Sequence, residues 1–341
     1  MRFAEHWIGC VVEAMRDVTP AIREITLRPD APLAPYPLGS HINVSLLIDG
    51  QPQTRSYSLV GERQPDVLRI AVRLAPDSRG GSKAMWALRP GARLRISSPS
   101  SLVEIDWTRQ RYCLIAGGIG ITPITGIAHA LRHRDGINVE LHYAMKSRTE
   151  AAYLEELSDL LRHRLIVHAS DEADRLDFDD IFAALPVDAM AILCGPMRML
   201  EAARRAWNAS GRAPSDLRYE TFGSSGLLPT AEFRVRLKHS GAEIVVPQNR
   251  SMLAALNDAG FEVMSDCERG ECGVCAIDVT AIDGEIDHRD VFFSDHQKQA
   301  NAKICPCVSR AIGTVTVDTL YRPDTPQGRL SDLPAMPPAA T

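Results

Sequence analysis

The stretch Cys267-Glu268-Arg269-Gly270-Glu271-Cys272-Gly273-Val274-Cys275 decides how the chain is read. Its three cysteines stand in a C-x4-C-x2-C pattern, which opens a plant-type [2Fe–2S] site, where each cluster is held by four thiolates. Two close cysteines suffice for a lone ion. A third, five positions upstream, lets one loop wrap a larger object. Gly270 and Gly273 suit a backbone that turns tightly and approaches inorganic sulfur. The N–H groups of such a loop hydrogen-bond the sulfurs and tune the potential. Cys305 and Cys307 follow further on, and either can complete the set; counted from Cys275, Cys305 leaves the usual gap. A competing reading is structural zinc on Cys272, Cys275, Cys305 and Cys307, because paired cysteines often bind zinc. It leaves Cys267 without a role and lacks a second x2 pair.

Around this stretch the composition narrows the possibilities. A chain of 341 residues suits two or three domains. A net charge of −5 argues against nucleic-acid binding and gives no reason to expect a membrane surface. No apolar run approaches the roughly 18 residues of a membrane span, and the N-terminus lacks the apolar core of a signal peptide. Eight cysteines without such a signal fit a reducing cytoplasm, where thiols stay available to metal. Residues 323–341, rich in Pro and Ala, are expected to form a disordered tail.

Three kinds of pattern follow one another. Residues 1–108 read as short strands with Gly and Pro punctuation: Trp7–Val12, Ile22–Leu27, His41–Ile48, Arg55–Val60 and Leu68–Val72, with one helix at Ser82–Leu88. An antiparallel β-barrel fits that pattern. Residues 109–225 alternate strands (Tyr112–Ala116, Val139–Ala144, Leu165–Ala169, Ala189–Cys194, Leu217–Thr221) with helices (Pro123–Arg134, Glu150–Leu161, Phe178–Ala184, Met197–Ala209). That is an α/β domain on a parallel sheet, which binds nucleotides at the carboxyl ends of its strands. A linker runs from Ser224 through Pro229, and residues 226–322 then run β-β-α-loop-β: Glu232–Lys238, Glu243–Val246, a helix at Ser251–Ala259, the cysteine loop, then Ala276–Ala281 and Thr314–Asp318. This is the order of a β-grasp ferredoxin module.

Each of the first two segments carries a chemical motif. Arg55-Ser56-Tyr57-Ser58 offers a planar cation suited to phosphate beside an aromatic face. Taken alone, it reads equally as an edge strand with alternating polar residues. Ser78-Arg79-Gly80-Gly81-Ser82 opens a helix with free N–H groups. Gly117, Gly118 and Gly120 before Thr122-Pro123 let backbone approach a pyrophosphate at a helix start. Cys194-Gly195-Pro196 closes the fourth strand of that domain, and Lys146-Ser147-Arg148 follows its second, where an adenine ribose belongs. No Asp or Glu stands there, and Arg148 suits a 2′-phosphate.

In this order the motifs resemble the family of phthalate dioxygenase reductase and vanillate O-demethylase reductase, within the ferredoxin–NADP reductase superfamily. The resemblance runs from about Trp7 to Arg322 and includes Gly284-Glu285-Ile286-Asp287-His288-Arg289-Asp290 and Cys307-Val308-Ser309-Arg310-Ala311. It implies a reductase component of a Rieske-type oxygenase, moving electrons from NADH through FMN to a [2Fe–2S] cluster and on to the oxygenase. It further implies a monomer. By the same resemblance Arg55, Ser58, Gly81 and Ser82 hold the FMN phosphate side, Tyr57, Val72 and Arg73 line its ring, and Phe222 lies near the flavin. Ser56, Gly80 and Thr122 also contact FMN. The nicotinamide nucleotide takes Gly117, Gly118, Gly120, Thr122, Pro123, Ser147, Arg148, Cys194, Gly195 and Pro196. Aligned on His288-Arg289-Asp290, the fourth cluster ligand falls on Cys307, beside Cys267, Cys272 and Cys275. Cys305 becomes a bystander, and two extra residues fall between Cys275 and Gly284, where a hairpin is expected. Acids near the loop (Asp266, Glu268, Glu271, Asp278, Asp283), interrupted by Arg269, Arg289 and Arg310, suggest a docking face. An electron carrier without enzyme activity, or a reductase for soluble acceptors such as ferric chelates, is the alternative.

Overall fold

The computed structural model describes residues 6–48, 50–64, 66–75, 80–101, 103–220, 222 and 226–319. They fall into two compact units, divided between Phe222 and residue 223.

The first unit begins with strands β1 (Trp7–Thr19), β2 (Ile22–Pro29), β3 (His41–Ile48), β4 (Gln51–Ser58) and β5 (Leu68–Arg73), then helix α1 (Gly81–Ala87) and strand β6 (Arg93–Ser97). They form a six-stranded antiparallel sheet in the order β4-β3-β6-β1-β2-β5. A bridge between Leu59 and Ile70 links its two ends, so the sheet curls into a barrel. Period-two alternation sets the inside: Ile42, Val44, Leu46 and Ile48 of β3 point into a core with Cys10, Val12, Ile25, Ile70, Met85 and Ile96.

The same unit continues with β7 (Arg111–Gly117), α2 (Ile121–Arg132), β8 (Asn138–Met145), α3 (Leu154–Leu161), β9 (Leu165–Ala169), α4 (Phe178–Ala184), β10 (Met190–Cys194), α5 (Met197–Ala209) and β11 (Leu217–Glu220). All five strands are parallel, in the order β11-β10-β7-β8-β9. Tyr112, Leu114 and Ala116 of β7 share one core with Ile124, Ile127 and Leu131 of α2 and with Ile22, Val60 and Ala71 of the barrel. The winding reverses between β7 and β10, which makes their carboxyl ends the crevice of the sheet.

The second unit holds β12 (Phe233–Leu237), β13 (Glu243–Val246), α6 (Met252–Asp258), β14 (Ile277–Asp287), α7 (Asp295–Ala300), β15 (Lys303–Ile304) and β16 (Arg310–Asp318). The sheet order is β13-β12-β16-β14-β15, with β12 and β16 parallel. The Ser251 hydroxyl caps α6 by accepting from Ala254 N–H at 3.1 Å. Met252, Ala255 and Leu256 of that helix lie against Phe233, Val235, Ile277 and Val315.

Several elements differ from the sequence expectation, each for a local reason. β4 ends at Ser58, because Leu59 N–H turns to Ser40 O and Val60 N–H to Arg69 O, both at 2.8 Å. α2 starts two residues before Pro123. α3 starts at Leu154 instead of Glu150. Tyr153 is left-handed at φ 61°, and its hydroxyl donates to Glu24 Oε2 of the barrel at 2.8 Å. No hairpin follows Cys275; β14 is one strand of 11 residues. A register shift between Val279 and Ala281 sets Thr280 out as a bulge, and that absorbs an extra residue without reversing the chain. β6, α7 and β15 were not expected. α7 reads Asp-His-Gln-Lys-Gln-Ala, polar all round; only the capping box of Ser294 and Gln297 marks it. Ser78, Arg79, Thr221, the linker residues 223–225 and the tail lie outside the described residues.

Candidate electron-transfer site

In the second unit the cysteine loop runs without regular structure, so its shape comes from what it packs on. Gly270 and Gly273 have φ of +78° and +71°. A Cβ on Gly270 would stand 2.5 Å from Val308 Cγ2 and 2.9 Å from Asp290 Cα, and one on Gly273 would enter the Phe292 ring. Glycine is thus required at both, by conformation and by space. Arg269 N–H and Cys272 N–H both point to Cys267 Sγ at 3.4 Å. Cys275 Sγ and Cys307 Sγ are 3.2 Å apart. Hydrogen bonds from Cys305 and Cys307 pull the Cys275 thiol down to about 4 against its burial. Donating to that thiolate, with burial added, raises Cys305 and Cys307.

The two later cysteines share one neighbour and differ in others. Both lie against Cys275; Cys307 also accepts from the Gly270 backbone. Cys305, fully buried, feels Asp290. Among the described residues, the groups with three possible ligand atoms mutually within 4.8 Å are Glu62–His129–His133 and Cys113–Glu140–His142. The loop cysteines form none, so they are spread wider than the shell of a single ion, which tells against structural zinc. Two backbone N–H groups aimed at Cys267 Sγ, with Cys275 close to Cys305 and Cys307, fit a thiolate-held cluster.

Beneath the loop lies a bed built from Asp287, Arg289, Asp290, Ser309 and Arg310. Arg289 Nε donates to Asp287 Oδ2 at 2.7 Å, with both side chains buried. Ser309 Oγ donates to Asp290 Oδ1 at 3.1 Å, Phe293 N–H to Asp290 Oδ2 at 2.9 Å, and Arg289 N–H to Ser309 Oγ at 3.1 Å. Val291 N–H donates to Gly270 O and so ties the bed to the loop. Arg310 reaches the carbonyls of Ala231, Pro247 and Arg250, and burial pushes its pKa down to about 10. Arg269, also buried, pairs with Glu271 at 3.0 Å. These three arginines therefore do not interrupt an acidic surface, as their positions in the sequence suggested. Asp266 and Glu268 are exposed, alongside Met264, Val274 and Phe292.

In the first unit, the barrel motif sits on β4 beside the start of α1. A Cβ on Gly81 would lie 2.8 Å from Arg55 Nε, so the bare glycine lets the guanidinium chain lie across it. Arg55 is steadied by the Thr54 carbonyl at 2.8 Å and by Gln53 at 2.5 Å. Ser56 donates to Asn43 at 2.5 Å, and Ser82 accepts from Ala75 N–H. Ser58 Oγ is buried and has no hydrogen-bond partner among the described residues. Gly80 precedes α1 at φ +89°. Burial raises the Tyr57 phenol. Val72 is buried, Arg73 is exposed at the end of β5, and Phe222 packs on the core shared by barrel and sheet. One strand thus carries a cation and an aromatic ring on one face, Arg55 and Tyr57, and Ser56 and Ser58 on the other, a set of groups that fits a phosphorylated flavin.

At the crevice of the parallel sheet, the glycines of β7 meet the end of β10. A Cβ on Gly120 would stand 2.2 Å from Cys194 O, and one on Gly117 2.8 Å from Pro196 Cδ. Gly117, Gly118, Gly120, Cys194, Gly195 and Pro196 thus come together, although they are far apart in sequence. The Thr122 hydroxyl donates to Ile119 O, and Pro123 sits in the first turn of α2. Beyond β8, Thr149 donates to Ser147 Oγ, and Arg148 is held by Glu172 at 2.9 Å and 3.1 Å. Glu172 follows β9, so Arg148 after β8 meets a carboxylate from the neighbouring strand's end.

A curled antiparallel barrel, a parallel nucleotide sheet and a thiolate loop on a ferredoxin sheet together define an NAD(P)H-dependent flavin and iron–sulfur oxidoreductase. The comparisons agree. Residues 235–311 match the 2Fe-2S iron-sulfur cluster binding domain, and residues 114–205 match the oxidoreductase NAD-binding domain. The chain is 34% identical to the heme-dependent oxidative N-demethylase beta subunit of Ectopseudomonas mendocina, over 89% of this chain and 96% of that protein. It is 30% identical to the vanillate O-demethylase oxidoreductase of Acinetobacter baylyi, over 90% and 97%. It superposes on phthalate dioxygenase reductase with a TM-score of 0.73 and 27% identity, covering 92% of this chain and 98% of that one. The chain belongs to this family of oxygenase reductases, whose cofactors are FMN, a [2Fe–2S] cluster and NADH. Among the described residues, no helix is long and apolar enough to cross a membrane.

Proposed function

We propose that this chain passes electrons from NADH to the Rieske centre of an oxygenase, as a cytoplasmic monomer with a barrel domain (1–108), a nucleotide domain (109–225) and a ferredoxin domain (226–322). The observation that carries the reading is the coexistence on one chain of a glycine-lined nucleotide crevice and a set of paired thiols. When bound, FMN accepts an electron pair as hydride and can release it singly, and the cluster carries one electron at a time.

The residues of the chain bind and orient. Arg55, Ser56, Ser58, Gly80, Gly81 and Ser82 hold the FMN phosphate side, with the Ser58 hydroxyl gaining the partner it lacks. Tyr57, Val72, Arg73, Thr122 and Phe222 border the ring. Gly117, Gly118 and Gly120 admit the pyrophosphate of NADH at the start of α2, where Thr122 and Pro123 shape the turn. Cys194, Gly195 and Pro196 line the nicotinamide side of the same crevice. Ser147 and Arg148 take the ribose end. There Glu172 already occupies Arg148, and a carboxylate beside the ribose favours a 2′-hydroxyl over a 2′-phosphate. That supports NADH over NADPH. Cys267, Cys272, Cys275 and Cys307 would hold the cluster, which would supply one-electron transfer. No side chain is needed as acid or base, and the catalytic work is placement.

The test is anaerobic mixing with NADH. Flavin and cluster absorbance should both bleach; unchanged spectra would refute the reading. The relative described as heme-dependent supports a second reading of the acceptor, a haem oxygenase. Reconstitution with a Rieske oxygenase and, separately, with a haem oxygenase decides between the two acceptors.

A further inference from the structure

The loop after β4 and helix α2 bring together three groups that no part of the electron path uses. His129 and His133 stand one turn apart along and just beyond α2. Glu62 Oε1 lies 3.4 Å from His129 Nδ1 and 2.9 Å from His133 Nε2. All three possible ligand atoms are mutually within 4.8 Å. The other nitrogen of His129, Nε2, lies 2.8 Å from Glu156 Oε1 of α3.

The protons on His129 decide what this arrangement can do. A carboxylate only accepts, so Nε2 must carry a hydrogen to bond Glu156. In the neutral ring Nδ1 then presents a bare lone pair. That atom is buried and, with the ring neutral, has no donor among the described residues; it faces another acceptor, Glu62 Oε1, which it could bond only through a second ring proton. Two acceptors aimed at each other repel unless something positive lies between them. An imidazole oriented through its far nitrogen by a carboxylate is also the usual outer support of a metal-bound histidine. A cleft of about 420 Å³ lined by Tyr36, Trp107, Arg63 and the three groups gives access from solvent.

We propose that Glu62 Oε1, His129 Nδ1 and His133 Nε2 form a binding site for a divalent transition cation of the zinc class, with water completing the shell. Two imidazoles and one carboxylate suit Zn²⁺, whereas Mg²⁺ and Ca²⁺ prefer oxygen alone. The site pins the barrel loop to the nucleotide sheet. That loop already touches α2 next door, where Gly61 N–H donates to Thr125 Oγ1 at 3.1 Å.

The test uses holoprotein with flavin and cluster in place, washed with a mild chelator and dialysed against Zn²⁺, with zinc and iron both counted. Wild type should bind one added zinc with iron unchanged, and excess Mg²⁺ should not compete. His133→Ala and Glu62→Gln, both at exposed side chains, should weaken zinc binding about tenfold or more. Glu156→Gln never touches the ion and should weaken it by roughly 10- to 100-fold through the orientation of His129. His163→Ala, an exposed histidine elsewhere, should bind as wild type does. No added zinc in wild type, or equal binding by His133→Ala, overturns the proposal.

Discussion

In the ferredoxin unit Asp287, Arg289, Asp290, Ser309 and Arg310 are all buried, and each makes hydrogen bonds within its own unit, leaving over single nitrogens only, Arg310 Nε and the neighbouring His288 Nδ1, among the described residues of the bed. On the barrel Ser58 is just as buried, and its hydroxyl has no partner among the described residues. The difference follows from what each site is made of. The thiolate loop has no ladder of backbone bonds to shape it, so side chains beneath must do so, and a buried charge left unpaired there is costly. The flavin cradle stands on paired strands that keep their form unaided, so it can hold a polar atom in reserve for the ligand. One site is moulded before its cofactor arrives; the other is completed by it.

Four measurements sharpen or break that contrast. The largest effect is expected at the ligand itself. Cys307→Ser should abolish the visible spectrum and iron content of the cluster, and Cys305→Ser should keep both. The reverse pattern would move the fourth ligand to the buried neighbour. Next, Arg289→Met strands Asp287 in the bed and should cost about 3–5 kcal/mol of ferredoxin-unit stability in denaturant, with flavin content unchanged. A loss below about 0.5 kcal/mol, the range of an ordinary surface change, would mean that the bed does not shape the loop. On the barrel, Arg55→Ala should weaken FMN binding by about 1.5–3 kcal/mol, the worth of a hydrogen bond to a charged group, while the cluster spectrum stays intact. The smallest effect, at Ser58, is the sharpest discriminator. Ser58→Ala should lower FMN affinity by about 0.5–1.5 kcal/mol and leave the flavin-free protein as stable as before or more so. If the apoprotein instead lost stability, the hydroxyl would already be satisfied and the idea of a reserved group would fail.

Much of this was legible in the chain. His41–Ile48, Leu165–Ala169, Phe178–Ala184, Met197–Ala209 and Glu243–Val246 lie where periodicity and punctuation put them. Each has a clear apolar period and ends on residues that stop it. The elements that were missed or misplaced lacked such a signal or were overruled from elsewhere. α7 has no apolar face, and the start of α3 is set by Tyr153 reaching across to Glu24. The return expected after Cys275 is a bulged strand, because β16 pairs with it along its length.

Local sequence determined the cofactor class, because cysteine spacing and glycine runs are short-range properties of the backbone that holds a cluster or a pyrophosphate. Tertiary structure alone decided which groups those motifs answer to. Arg269, Arg289 and Arg310 turn inward instead of patterning a surface, Glu172 reaches Arg148 from another strand, and Glu62 meets two histidines of α2. Each of these depends on strands and helices being laid side by side, and neighbours made by packing leave no spacing in the sequence to be read.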